Sequence, residues 1–182
     1  SCGFIRKYYA FGMKKKNAIY QLMDCFTLFY FKFLKSQHTD EHFWTNQINT
    51  PLVNTWMGLA FERVCMEHIE QIKVKLGIAG VLTEVNSWYC KADLDNGVFG
   101  SQIDMLIVRK DQVINLCEMK YSQSEYTITE KVDRNIRNKI SDLITISGTK
   151  YAIYPTIITT YGLVENSYSQ EVQSVVTMDD LF

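Results

Sequence analysis

Two apolar runs, residues 102–109 and 113–121, flank the polar triplet Lys110-Asp111-Gln112. A short polar break between such runs leaves the middle of this chain little alternative to a β-hairpin. Asp104 and Glu118 each lie seven residues from Asp111. With the turn centred there, the two carboxylates face each other across the ladder, where opposed side chains approach to about 5 Å. Strand alternation puts Glu118 and Lys120 on one face and Met119 on the other, free to enter a core. The hairpin thus gathers two carboxylates and one amine, the minimum equipment for a divalent-metal nuclease.

Upstream, residues 2–11 and 18–23 read as strands around a basic turn at 12–17, and Asp24 is suited to cap a helix running to residue 35. The polar passage 45–54, with Pro51, reads as a linker. Thr55 is then expected to cap a helix through about Leu76, ended by Gly77, with Leu59, Met66 and Ile69 as its apolar stripe. Glu62 falls on that stripe, where a carboxylate needs a partner. Strands follow at 85–91, 102–109 and 113–121, then a charged helix at 129–146 and a strand at 151–160. The order αβββαβ calls for an α/β fold with a mixed sheet flanked by helices.

The 182 residues, 47% of them hydrophobic, are enough for one full core. A net charge of -1 provides no global attraction to nucleic acid, so any such binding rests on local patches. Two patches qualify. Lys14, Lys15 and Lys16, beside Arg6, Tyr8 and Tyr9, are able to grip phosphates and stack on bases; Lys131, Arg134 and Arg137 recur near helical spacing after the catalytic strand. Cys2, Cys25, Cys65, Cys90 and Cys117 form no CxxC pair, which argues against a zinc ribbon or disulfide framework and for a reducing, cytoplasmic setting. The apolar stretch 22–34 is interrupted by Asp24 and Lys32 and is too short to span a bilayer, so no membrane or export route is expected. The first residue is Ser, from which a fragment or processed product is expected.

The αβββαβ order, Asp104 on the second strand and Glu118-Met119-Lys120 on the third resemble the restriction-endonuclease-like, PD-(D/E)xK superfamily of nucleases. Glu62, in Gly58-Leu59-Ala60-Phe61-Glu62, matches the acidic residue that its first helix often contributes. Ile103 stands where the superfamily name has Pro, a variable position. With its basic hairpin, the chain is more narrowly similar to the carboxy-terminal region of prokaryotic AAA-type ATPases, a winged helix followed by a nuclease-like domain. The resemblance implies a winged-helix-like remnant over residues 1–48 and a nuclease-like domain over 49–182, behind an ATPase region absent from this chain. It implies Mg2+ (or Mn2+) held by Asp104, Glu118 and the Met119 carbonyl, with Lys120 orienting or activating a water, Glu62 assisting, and DNA as partner. A second reading keeps the fold as an inactive docking or DNA-binding module.

Overall fold

The computed structural model describes residues 4–12, 18–35 and 41–182. Strands β1 (Ile5–Tyr9) and β2 (Ala18–Leu22) form a small antiparallel hairpin. Helix α1 (Cys25–Phe29) starts on the Asp24 cap, as expected, and runs on through a wider π-type turn, Tyr30–Leu34. Helices α2 (Phe43–Gln47), α3 (Pro51–Glu67) and α4 (Ile69–Lys75) lead to β3 (Thr83–Cys90), β4 (Ser101–Arg109) and β5 (Val113–Lys120). Helix α5 (Glu130–Ser147), β6 (Ala152–Thr159) and β7 (Ser174–Val176) follow. The central sheet has five strands in chain order: β3, β4 and β5 are antiparallel, and β5, β6 and β7 run parallel. Parallel neighbours need a crossover, and α5 supplies it between β5 and β6. The architecture is therefore α/β, a mixed sheet flanked by helices, with the hairpin at its side.

Each face of the sheet has its own core. Met105, Ile107, Cys117 and Met119 pack with Phe61 and Cys65 of α3 and Ile72 of α4. Leu106, Ile114 and Leu116 point the other way and pack with Leu143 of α5. Because β5 is covered on both faces, its run from Ile114 to Met119 is buried without a break.

The long first helix departs from expectation at both ends. Pro51 is not part of a linker; it occupies the first turn of α3, where its missing N–H costs nothing, and Thr50 caps the helix by accepting from the Val53 amide. Thr55 lies inside the helix, its hydroxyl donating to the Pro51 carbonyl at 2.8 Å. At the other end His68, with φ −107° and ψ 31°, separates α3 from α4. Leu59, expected on the buried stripe, is 45% exposed; Val53, Phe61 and Cys65 are the buried side. Helix α5 follows its pattern, from the Thr129 cap to Gly148 at φ 63°. The passage expected as a linker also overlaps the end of α2, whose Trp44 joins Phe29, Phe33 and Trp56 in an aromatic cluster between α1 and α3.

The register sets up the site. Val108 pairs with Ile114 and Met105 with Cys117, so the β4–β5 turn is centred on Asp111. On the other side of β4, Leu106 pairs with Asn86 but Ile103 with Trp88. Two residues, Asp104 and Met105, therefore stand opposite the single residue Ser87, which is a β-bulge in β4. The β4–β5 ladder stops at Met105, so the expected opposed pair of Asp104 and Glu118 falls one step beyond it. Ser87 in turn receives the hairpin: it bridges Ala10, and its carbonyl accepts from the Phe11 amide at 2.7 Å. No helix among the described residues is long and apolar enough to cross a membrane.

Candidate active site

Glu118 and Lys120 close the C-terminal end of β5, on the face that α5 covers. Glu118 is buried. Lys120 Nζ lies 2.7 Å from its Oε1, and Lys139 Nζ, projecting from α5, lies 2.6 Å from its Oε2. One carboxylate is thus gripped by two ammoniums from different elements. Burial pushes the Glu118 carboxyl up, but the Lys139 and Lys120 charges outweigh it and hold the group below the usual carboxylate range. Burial likewise works against the Lys120 ammonium, yet Glu118, with Tyr126 and Glu62, raises it above the ordinary lysine value. Lys120 is accordingly a cation at neutral pH and no proton acceptor.

Asp104 projects from the bulge, and its Oδ1 accepts from the Gln102 amide at 2.8 Å. Glu62 approaches from α3, half-buried beside Phe61 and Cys65. Burial first, then the charge of Asp104 and a smaller contribution from Glu118, raise the Glu62 carboxyl despite Lys120 and Arg63. Glu62, Asp104, Glu118 and Lys120, widely separated in the chain, therefore share one electrostatic neighbourhood. A carboxyl raised in the folded state makes that state bind its proton more tightly than the unfolded chain does. Stability then falls as pH climbs from the ordinary carboxylate range through the raised value. Glu62→Gln is expected to raise the melting temperature at pH 7 and to leave it nearly unchanged at pH 4, as thermal denaturation at the two pH values will report.

A polar cleft opens above Glu118 and Lys120, lined also by Tyr126, Lys131, Arg134, Asn135, Asn138 and Lys139. The α5 positions 131, 134, 135, 138 and 139 recur at helical spacing and make one face. Lys131 and Arg134 lie on this face. Arg137 is turned away, its guanidinium held by Asp133 at 2.9 Å and by Glu171. Lys14, Lys15 and Lys16 lie outside the described residues. Gln102 also lines a second cleft with Glu62 and Asp104, walled by Arg6 and Tyr8 of the hairpin and by Asn86 and Ser87 of β3. Gln102 lines both clefts. Met119 packs its side chain into the α3 core, as the alternation requires.

Sequence reasoning missed Lys139, Gln102, Asn135 and Asn138. The helical recurrence of 131, 134, 135, 138 and 139 was a readable signal for the α5 face. Nothing in the sequence marked Lys139 as the partner of Glu118, because that pairing depends on how α5 crosses the sheet. The oxygen donors of Glu62, Asp104 and Glu118 suit a hard cation such as magnesium. Among the described residues, no three His, Cys, Asp or Glu side chains are grouped closely enough to cage a metal ion. Two carboxylates with waters would suffice for magnesium, which seldom uses an all-protein cage.

No curated protein and no solved structure matches the chain. Residues 26–135, which span α1 to the start of α5 and include Glu62, Asp104, Glu118 and Lys120, match DUF234, described as archaeal and bacterial proteins of unknown function. The chain belongs to this family.

Proposed function

We propose that this chain is a nuclease domain of the PD-(D/E)xK type that hydrolyses phosphodiester bonds in DNA with Mg2+ or Mn2+. The observation that carries the reading is the convergence of Glu62 from α3, Asp104 from the β4 bulge, and Glu118 and Lys120 from β5 beside a cleft lined by cations. A restriction-endonuclease-like core fits the order of helices and strands. An ATPase region in the intact polypeptide belongs to the same proposal.

A bound divalent cation would lower the pKa of water and neutralise charge on the phosphoryl oxygens. Asp104 and Glu118 would hold it, with the Met119 carbonyl. Lys120 stays charged and offsets negative charge on the phosphate. Glu62, whose carboxyl is raised by burial and by the charge of Asp104, is the group best fitted to take the proton from an attacking water. Lys131 and Arg134 hold the flanking phosphates, and Asn135 and Asn138 donate to them.

The test is cleavage of single- and double-stranded DNA by the purified chain in Mn2+, with EDTA as control. Among the described residues the side chain of Asp104 makes one hydrogen bond, the exposed one to Gln102, so Asp104→Asn is expected to change stability by less than about 0.5 kcal/mol. Cleavage by this variant should fall about 100-fold or more. No cleavage by the wild-type chain, or equal cleavage by the variant, would sink the reading.

A second reading is favoured by the fact that both Glu118 oxygens already hold ammoniums. In that reading the fold is a DNA-binding or docking module. Affinity for DNA then depends on Lys131 and Arg134, weakens with salt, and is indifferent to Asp104→Asn.

A further inference from the structure

We infer that Lys139 stands in for the divalent cation: its ammonium occupies Glu118 Oε2 and must leave before a cation can take that oxygen. The inference rests on the metal-dependent reading of the site. Nothing in the Asp104 and Glu-x-Lys pattern calls for a second lysine here.

Three observations lead to it. One ammonium, that of Lys120, already neutralises Glu118, and Lys139 adds a second positive charge on the remaining oxygen. The Lys139–Glu118 contact is also sequestered, with the two side chains 13% and 11% exposed. A charge-assisted contact at 2.6 Å in that setting competes with any other cation for the same oxygen. Finally, Glu118 is the only ion-pair partner of Lys139 among the described residues. A cation bound to Oε2 would lie within about 5 Å of Nζ, given magnesium–oxygen distances near 2.1 Å. Two positive centres that close repel each other, so the oxygen is held by one or the other.

A purely structural salt bridge between α5 and β5 predicts the opposite behaviour. If Lys139 only pins the helix to the sheet, its removal disturbs Glu118 and weakens any cation bound there. If Lys139 stands in for the cation, its removal frees the oxygen and tightens binding. The sign of the change separates the two.

The experiment is calorimetric titration of the whole chain with Mn2+, for wild type, Lys139→Met, Lys139→Gln and Lys131→Met. Lys131→Met removes the same charge from the same cleft without touching Glu118. Lys139→Gln keeps an N–H for Oε2 and serves if the methionine variant does not fold. Lys139→Met is expected to bind Mn2+ roughly ten- to a hundredfold more tightly, the range set by losing one charge-assisted hydrogen bond as competitor. Lys139→Gln should tighten less, and Lys131→Met by less than about threefold. Mn2+ affinity that is unchanged or weaker in both Lys139 variants, or equally tightened by Lys131→Met, overturns the inference and leaves the metal-dependent reading standing. If neither the wild type nor any variant binds Mn2+, the metal-dependent reading itself falls, and the inference with it.

Discussion

Glu118→Gln is expected to lower stability by about 3 kcal/mol and, on the proposed nuclease reading, to lower the rate of DNA cleavage in Mn2+ by at least about 100-fold. Both effects come from one geometry. The carboxylate is buried, and each oxygen meets an ammonium, at 2.7 Å from Lys120 and 2.6 Å from Lys139. An amide of the same shape leaves Lys139 buried against a neutral group, and breaking a buried ion pair from one side costs about 3–5 kcal/mol. The lower end applies, because Lys120 is 36% exposed and solvent screens it. The pH dependence gives a second signature. Glu118 has a lowered carboxyl in the folded state, so its contribution is present above the ordinary carboxylate range and is lost as pH falls through the lowered folded value. Denaturant titrations at pH 7 and under acid should show the difference between wild type and variant shrinking as the carboxylate is protonated. A variant as stable as wild type at pH 7 would mean that the two lysines contribute nothing through Glu118. Asp104→Asn, which leaves this ion pair intact, separates lost chemistry from lost stability.

Asp142→Ala is expected to cost about 3 kcal/mol of stability. The Asp142 carboxylate is fully buried on α5 with no basic group to pair it among the described residues, yet it is well supplied with donors. It accepts from the Phe99 amide at 2.9 Å and from the Ser101 hydroxyl at 2.5 Å, with the Cys90 thiol at 3.8 Å. Alanine would take the shared acceptor from the Phe99 N–H and the Ser101 hydroxyl and leave a void at a fully buried position. Asp142→Asn should cost only about 1 kcal/mol, since its carbonyl oxygen still accepts from Phe99 and the Ser101 hydroxyl can turn to accept from the amide. Ser101 opens β4, and Asp104 follows three residues later. Cleavage by Asp142→Ala should therefore fall at temperatures where the chain is still folded. Equal melting of the alanine and asparagine variants would show that this hydrogen-bond set does not hold the start of β4.

Much of the site was legible because it sits on periodic elements. Alternation in residues 113–120 assigned Met119 to a core and Glu118 with Lys120 to the opposite face, and the sheet carries them so. The Thr129 cap and Gly148 end of α5 were equally plain, since caps and left-handed glycines are local chemistry. The first long helix was misread at Pro51 because proline marks both loops and first helical turns, and only the Thr50 cap before it resolves which. Strand β7 was missed altogether. Its three residues are too few to show a period, and it is ordered by pairing with β6.

Legible in the chain alone are the hairpin centred on Asp111, the core order of helix, three strands, helix and strand, and the three residues Asp104, Glu118 and Lys120 at the hairpin's margin. Those follow from periodicity and turn chemistry, which act between near neighbours. Packing between layers places Asp104 in a bulge opposite Ser87, brings Glu62 into the field of Asp104, and carries Lys139 from α5 onto Glu118. Bulges and cross-element ion pairs depend on how layers pack against each other, and no local pattern in the chain carries that information.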